Sequence, residues 1–228
     1  MDLQAWRPRL SSGQWFNHLP ALLQDSLLAI ARVRRLAPGQ WLFKRGDPPC
    51  GLYAVLEGAV RIGAVSEQGK EALLSVVEPP HWFGEISLFD GRPRTHDACG
   101  VGRCILLQVP QTALLELLGE HPHYWRHLAL LMSHKLRLTF ISLEQLSLMP
   151  AAARVAHRLL MIAEGYGQTE SSRRLLQLPQ EQLALMLSLS RQTTNQILKD
   201  LQNQGIVQLN YGEIEVLDLE RLRGAAQA

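Results

Sequence analysis

A long stretch in the second half of the chain contains no residue that would break a helix. After Pro122 there is neither glycine nor proline through Leu148. Apolar residues recur there at steps of three and four, which is the spacing of one helix face. A helix of about 27 residues is about 40 Å long, more than one small domain needs. The stripe consists of Leu128, Met132, Leu136, Thr139, Leu143 and Leu146.

Two packing arrangements suit this stripe. Its spacing is that of the a and d positions of a short coiled coil, which favours pairing with a second copy of the chain. In the other arrangement the stripe packs only on the chain's own strand-rich part. We predict the first arrangement, a homodimer joined along the long helix.

The residues before the helix have closely spaced glycines, as is typical of short strands joined by turns. Glycines recur at close intervals from 38 to 110, and strand-like apolar pieces at 52–56 and 59–65 lie between them. This pattern predicts a compact antiparallel barrel or sandwich. An amphipathic segment at 19–36 precedes it and is expected to be helical.

Pro150 interrupts the helical pattern and suits the first turn of a new helix, expected to run to about Ala163. Residues 147–151 are then a natural hinge. The sequence therefore predicts an α+β protein in three parts. These parts are a strand-rich domain at 1–120, the long helix at 121–149 and a C-terminal domain at 150–228.

The C-terminal part contains the pattern of a helix-turn-helix. A helix over 180–187 is followed by a Ser-Leu-Ser turn, in which Ser190 is placed to cap a second helix beginning at Arg191. A β-hairpin wing over 207–217, turning near Tyr211, follows the second helix. The residues of the second helix that face the core are Thr194, Ile197, Leu198 and Leu201.

The opposite face of this second helix carries amide and guanidinium groups, which match the hydrogen-bonding edges of bases in the major groove. Basic and acidic residues are equally numerous from Ala151 onward. Contact with DNA therefore depends on where each charge lies rather than on a basic surplus. The residues predicted to contact DNA are Ser190, Arg191, Gln192, Thr193, Asn195, Gln196 and Lys199.

The segment 83–98 contains charged and hydroxyl side chains between the predicted strands. Glu85 directly follows a glycine, and Arg94 stands next to Thr95. A guanidinium offers paired donors to a phosphate, a neighbouring hydroxyl adds another, and a carboxylate accepts from a ribose hydroxyl. These groups suit a ligand that carries both a phosphate and a sugar.

The order of these parts resembles the CRP/FNR superfamily of bacterial transcription regulators over nearly the whole chain. The likeness is carried by residues 42–62, 83–95 and 189–207. It implies a cyclic-nucleotide-binding β-roll (jelly roll), a long dimerisation helix and a winged helix-turn-helix. It also implies double-stranded DNA with a palindromic operator, a second copy of the chain and RNA polymerase as partners.

The resemblance further implies an effector, cyclic AMP or cyclic GMP, and no tightly bound cofactor. Arg94 and Thr95 would bind the cyclic phosphate, Glu85 the ribose, and Arg191 would read a guanine. The ligand-binding residues implied in this way are Gly84, Glu85, Ile86, Ser87, Arg94, Thr95 and Thr139.

His96 and Asp97 depart from members that bind cyclic AMP, which usually keep an alanine and a neutral residue there. Asp97 is expected to share a strand face with Thr95 and to repel an anion. Other hypotheses therefore stay open. In the first, Glu85 and Arg94 form an internal ion pair in a vestigial pocket. In the second, the DNA reader is the same but the effector is haem or a cyclic dinucleotide, or there is no effector. In the third, the chain is a cyclic-nucleotide-binding module that regulates a protein partner.

Composition and motifs exclude several other classes. Of the 228 residues 46% are hydrophobic, enough for a packed core, and 23 Lys and Arg nearly balance 21 Asp and Glu. No apolar run is long enough for a signal peptide or a membrane span, which predicts a cytoplasmic protein. The three cysteines have no paired spacing and the histidines near 123 lack a third ligand, so no metal is expected. No catalytic motif is present, so no enzyme is expected.

Overall fold

The computed structural model describes residues 3–69, 71–167, 172 and 174–227. The chain separates into two compact units, Met1–Leu136 and Arg137–Ala228, and the division falls inside the long helix. The first unit contains a sheet of six strands and the second a sheet of three. None of the helices in the described part of the chain is long and apolar enough to cross a bilayer.

Short helices open the first unit and strands make up most of the rest. The first helices are α1 (Arg7–Ser11), α2 (Gln14–Asn17) and α3 (Ala21–Ile30). The strands are β1 (Arg32–Leu36), β2 (Trp41–Phe43), β3 (Gly51–Val65), β4 (Glu71–Val77), β5 (Trp82–Phe83) and β6 (Asp97–Pro110). Helix α4 (Ile86–Asp90) lies between β5 and β6, and α5 (Gln111–Glu120) follows β6.

The prediction of a helix over 19–36 is wrong for the residues after Ile30. Helix α3 ends at Ile30, and the following residues form β1, which pairs antiparallel with β6 from Arg32 opposite Gln108 to Leu36 opposite Cys104. Hydrogen bonds to a distant strand therefore override the local helical pattern.

Strands β3 and β6 form the centre of the larger sheet, whose order is β1-β6-β3-β4; β2 also pairs with β6, and β5 with β3. Their register shifts around Gly58, whose φ is +75° and whose Cβ would lie 2.4 Å from the carbonyl oxygen of Arg103. Only glycine fits there without moving the backbone. The pieces predicted as separate strands at 52–56 and 59–65 are therefore one strand with an irregularity.

Aromatic rings contact one another within the largely leucine-lined interior of the first unit. Trp15 meets Trp82 edge to face at 5.1 Å between ring centroids, and Phe16 stacks on Trp82 at 5.6 Å. Leu128 packs into the same cluster, and Trp15 Nε1 donates a hydrogen bond to the carbonyl oxygen of His127 at 2.8 Å. The start of the long helix is thus fixed to this core by burial and by a hydrogen bond.

The predicted long helix is confirmed as α6, Trp125–Leu148, which follows a 3-10 turn at Pro122–Tyr124. Its first turns bury Leu128 and Leu131. Its later turns leave large apolar side chains exposed. These are Leu136 (54% exposed), Phe140 (62%), Ile141 (39%), Leu143 (54%), Leu146 (48%) and Leu148 (75%).

The second unit contains the helix-turn-helix and the wing that the sequence predicts. After the last part of α6 its elements are α7 (Ala151–Ala163), β7 (Leu175–Leu176), α8 (Gln180–Leu187), α9 (Arg191–Asn203), β8 (Val207–Asn210), β9 (Glu213–Val216) and α10 (Leu219–Ala225). The smaller sheet has the order β7-β9-β8. Thr194, Leu198 and Leu201 of α9 are buried, whereas Ile197 is half-buried.

Candidate functional site

Arg94 is a buried cation of the first unit, with only 4% of it exposed. Its Nη1 donates to the carbonyl oxygen of Gly84 at 2.8 Å, and its Nη2 to that of Gly51 at 2.6 Å. Its guanidinium carbon lies 4.4 Å from the centroid of the Phe43 ring. Within the described residues no carboxylate pairs with this guanidinium, and its Nε has no hydrogen-bond partner. The positive charge is held in place but is not neutralised, which suits an anion.

The backbone around Arg94 requires glycine. Gly84 has φ +97°, and a Cβ there would lie 3.0 Å from the carbonyl oxygen of Gly51 and 3.1 Å from Arg94 Nη1. A larger residue would be strained in this conformation and would press on the guanidinium. Gly84 therefore serves the site by supplying a carbonyl and by leaving room for Arg94.

A second set of bonds holds the surroundings of Arg94. Arg94 Nη2 and the Tyr53 hydroxyl each donate to Cys50 Sγ at 3.1 Å. Gln108 Nε2 donates to the Cys50 carbonyl oxygen at 2.9 Å and to the Tyr53 oxygen at 3.0 Å. Burial raises the pKa of the Tyr53 hydroxyl far above its ordinary value of 10.0, and the contact with Cys50 raises it further. Tyr53 therefore keeps its proton and remains a donor.

Glu85 is also buried, with 3% of it exposed, and its partner is a lysine. Lys135 Nζ on α6 lies 2.6 Å from Glu85 Oε2. The hypothesis that Glu85 and Arg94 form an internal ion pair is therefore wrong. The sequence reasoning missed Lys135, although it follows the buried Leu128 and Leu131 by seven and four residues, on the same helix face.

The remaining residues of the segment differ in exposure. Thr95 is exposed, and its Oγ1 lies 3.0 Å from His96 Nδ1. Ile86 is 44% exposed, whereas Ser87 is buried and its carbonyl oxygen accepts from Gln111 Nε2 at 3.2 Å. Thr139 of α6 is exposed and belongs to the second unit.

The expectation that Asp97 shares a strand face with Thr95 is wrong. Strand β6 begins at Asp97, so Thr95 lies before the strand. Asp97 Oδ1 accepts a hydrogen bond from the backbone N–H of Arg45 at 2.7 Å. Burial and the charge of Arg45 lower the pKa of His96, while Asp97 raises it.

The turn of the helix-turn-helix is built as predicted. Helix α8 ends at Leu187 and is followed by the C-cap residue Ser188, which has φ 53°. Leu189 N–H donates to the carbonyl oxygen of Ala184 at 3.0 Å. Ser190 Oγ then accepts from the backbone N–H of Thr193 at 3.0 Å, which caps α9.

The polar side chains of α9 are not equivalent. Arg191, Gln192, Thr193, Gln196 and Lys199 are exposed. Asn195 is half-buried, and its Nδ2 donates to Gln180 Oε1 of α8 at 2.8 Å; its contact with DNA stays a prediction. Gln196 Nε2 donates to Asp200 Oδ1 at 2.9 Å.

The wing hairpin turns at Tyr211 and Gly212, as predicted. Gly212 has φ +73°, and Tyr211 is fully exposed at the tip. In the part of the chain that the structure describes, no three His, Cys, Asp or Glu residues are grouped so that they could hold a metal ion.

Comparison with known proteins gives the same order of parts. Residues 33–121 match the family described as "Cyclic nucleotide-binding domain", and residues 153–225 match "Crp-like helix-turn-helix domain". A CRP-like cAMP-activated global transcriptional regulator of Mycobacterium tuberculosis (strain CDC 1551 / Oshkosh) is 31% identical over 191 residues, which cover 83% of this chain and 85% of that protein.

Two further proteins extend the comparison. The Cyclic AMP receptor protein of Thermus thermophilus is 33% identical over 195 residues, which cover 85% of this chain and 88% of that protein. The solved structure of the c-di-GMP responsive global regulator CLP of Xanthomonas campestris has a TM-score of 0.70 and 22% identity, and covers 87% of this chain and all of that one. The latter likeness concerns the fold alone.

These findings confirm the resemblance and the fold class. The relative from Mycobacterium tuberculosis is named as a global transcriptional regulator. The two matched families and the two relatives above 30% identity show that the chain belongs to the CRP/FNR family of DNA-binding transcription regulators, with a cyclic-nucleotide-binding domain and a Crp-like helix-turn-helix.

Proposed function

We propose that this regulator is a homodimer whose affinity for an operator is controlled by a cyclic nucleotide, with cyclic AMP preferred over cyclic GMP. The observation that carries the proposal is Arg94, a buried cation that is not neutralised and has one free nitrogen. The choice of cyclic AMP is supported by the two relatives named for it.

Arg94 is proposed to bind the cyclic phosphate. Its two terminal nitrogens are already oriented by the carbonyl oxygens of Gly84 and Gly51, so the guanidinium loses little freedom when an anion arrives. A phosphate would supply the negative charge that no described residue supplies. Thr95, exposed beside it, is proposed to add a hydroxyl donor.

Glu85 is proposed to accept a hydrogen bond from the ribose. Lys135 bonds one of its oxygens, Oε2, which leaves Oε1 for a sugar hydroxyl. An ionised carboxylate has lone pairs for both partners. Lys135 is then a positioning residue that fixes the carboxylate. Thr139 lies in the second unit, and its role toward the base stays a prediction.

The exposed apolar face of α6 supports a dimer. Leu136, Phe140, Leu143 and Leu146 are each about half exposed or more. They lie on consecutive turns at steps of four, three and three, and such a row is rarely left in water. A second copy of the same helix would cover it.

The reading of DNA is assigned to α9, and the exposed polar residues of its first three turns support this assignment. Two copies in a dimer would present two such helices to half-sites about 34 Å apart, one turn of DNA. The operator is therefore expected to be palindromic. Contact with RNA polymerase is proposed on family membership alone.

The test is isothermal titration calorimetry with the full-length protein and cyclic AMP, cyclic GMP and c-di-GMP in separate titrations. The proposal predicts tight binding of cyclic AMP, weaker binding of cyclic GMP and none of c-di-GMP. Binding of c-di-GMP alone would replace the effector while keeping the DNA reader, because a protein of the same fold is named as responsive to it. Binding of none of the three would overturn the assignment of Arg94 as a nucleotide site.

A further inference from the structure

Gln196 and Asp200 form a hydrogen-bonded pair on the exposed side of α9. The role inferred below for this pair rests on the proposal that α9 reads DNA. The two residues are four apart, which places them one above the other on a helix. Gln196 Nε2 donates to Asp200 Oδ1 at 2.9 Å, and both side chains are exposed.

The chemistry of the pair fixes the direction of the amide. A glutamine side chain normally presents either its oxygen or its nitrogen, because rotation by 180° exchanges the two. An ionised carboxylate accepts hydrogen bonds and donates none. Only the amide nitrogen of Gln196 can therefore face Asp200, and the amide oxygen is left without a donor among the described residues.

Bases divide into two classes by the group that such an oxygen would meet. In the major groove adenine and cytosine present amino donors, N6–H and N4–H, whereas guanine and thymine present the keto acceptors O6 and O4. A free glutamine serves both classes by rotating. We infer that Asp200 is a positioning residue that biases Gln196 toward amino-bearing bases, because it occupies one of the two N–H donors of the amide and directs the amide oxygen away from itself. The base at its position in the half-site is then adenine or cytosine.

Gln192 provides an internal comparison on the same helix. It is exposed one turn earlier, and no described residue bonds its amide. Its amide is therefore free to rotate. The base that it contacts is expected to vary between amino and keto types, whereas the base that Gln196 contacts is not.

The experiment begins with selection of operators from a randomised duplex library by the wild-type protein, with and without cyclic AMP. Every base of the selected half-site is then changed in turn, and affinities are measured by fluorescence anisotropy at one fixed salt concentration. The position whose preference disappears in Gln196→Ala is the Gln196 position. We expect about tenfold preference there for an amino base over a keto base, a typical size for a direct contact.

Asp200→Asn then tests the inference, because an asparagine both accepts and donates and so permits either orientation of Gln196. The preference at the Gln196 position is expected to fall below about threefold, while the preference at the Arg191 position is retained. Asp200→Ala is expected to do the same. Glu181→Gln is the matched control, since it removes the same charge from the exposed side of α8 and leaves the pair intact.

The outcomes distinguish failure of the DNA-reading function of α9 from failure of the role assigned to Asp200. If the library yields no operator in either condition, the DNA-reading function fails and the inference fails with it. If an operator is obtained but the Gln196 position is a keto base, or Asp200→Asn keeps the amino preference, only the inference is overturned. If Asp200→Asn loses discrimination at every position, the residue holds α9 as a whole, and the specific role is again refuted.

Discussion

Arg94 and Arg191 are the two arginines proposed to contact the two ligands, and the fold treats them in opposite ways. Arg94 is buried, with its guanidinium bonded to two carbonyl oxygens and placed over an aromatic ring. Arg191 is exposed in the first turn of α9. Folding therefore orders the first before any ligand binds, whereas the second keeps its rotamers until DNA orders it. The ordered Arg94 suits a small ligand of fixed shape, and the mobile side chain of Arg191 suits DNA, which is long and deformable.

Removal of Arg94 is the strongest test of this contrast. Arg94→Ala is expected to weaken cyclic AMP binding at least about 100-fold, because each charge-assisted hydrogen bond contributes about 1.5–3 kcal/mol. Calorimetry measures the loss, and thermal unfolding checks that the variant is folded. Arg92→Ala is the control, since Arg92 is exposed two residues away and should bind as the wild type does. Equal affinity in both variants would remove Arg94 from the site.

Removal of Arg191 tests the other side of the contrast. Arg191→Ala is expected to lose about 1–3 kcal/mol of discrimination per half-site, with its stability unchanged because the side chain is exposed. Anisotropy with the selected operator and with a scrambled duplex measures the ratio. Arg221→Ala on α10 removes an equal charge from an exposed position and serves as the control. A ratio that Arg191→Ala leaves unchanged contradicts the assignment.

Lys135 links the proposed effector site to helix α6, because its ammonium group pairs with the buried carboxylate of Glu85. Lys135→Met leaves the buried Glu85 carboxylate without its lysine. We expect about 1–2 kcal/mol lower stability of the first unit, less than for a fully buried pair since Lys135 is 35% exposed. Denaturant unfolding measures it. Adding Glu85→Gln should restore part of the loss; if the double variant is less stable than Lys135→Met, the pair is not the cause.

The smallest expected effect concerns pH and the second unit. Gln145 Nε2 lies 2.9 Å from His157 Nδ1. Burial lowers the pKa of His157 below 6.5, Arg158 lowers it further and Glu164 raises it. The unfolded chain then binds more protons, so this histidine lowers the stability as pH falls through 6.5 and has no effect above that.

His157→Gln is expected to reduce the acid loss of stability below pH 6.5, with little change at pH 8. The melting temperature as a function of pH measures it. His18→Gln is the control on an exposed histidine of the first unit. Parallel pH profiles for wild type and His157→Gln would show that His157 does not titrate with folding.

The local parts of the fold could be predicted from the sequence. Ser190 caps α9 and Gly212 lies at the turn of the wing, as predicted. Pro150 is the N-cap residue of α7, one position before the predicted first turn. These features depend on groups only a few residues apart in the chain. The strand at Arg32–Leu36 and the irregularity at Gly58 could not be predicted, because both depend on a partner strand far along the chain.

The candidate site shows the same limit. The residue types of the 83–95 segment indicated an anion and a sugar, but two of the partners of Arg94 are backbone carbonyls, one of them 43 residues away. Every residue has a backbone carbonyl, so the residue types do not reveal which carbonyls will bond Arg94. Lys135 is 50 residues from Glu85 in the chain. It lies on a helix whose apolar pattern predicts dimerisation, and nothing in that pattern indicates an ion pair with Glu85.

Binding of the effector and binding of the operator are proposed to strengthen each other, and this coupling can be measured from both sides. Operator affinity is measured with and without saturating cyclic AMP, and cyclic AMP affinity with and without saturating operator. Linkage requires both affinities to increase by the same factor, about 5- to 150-fold for a typical coupling. If neither cyclic AMP nor cyclic GMP binds or changes operator affinity at saturation, the account of an effector-controlled regulator is contradicted.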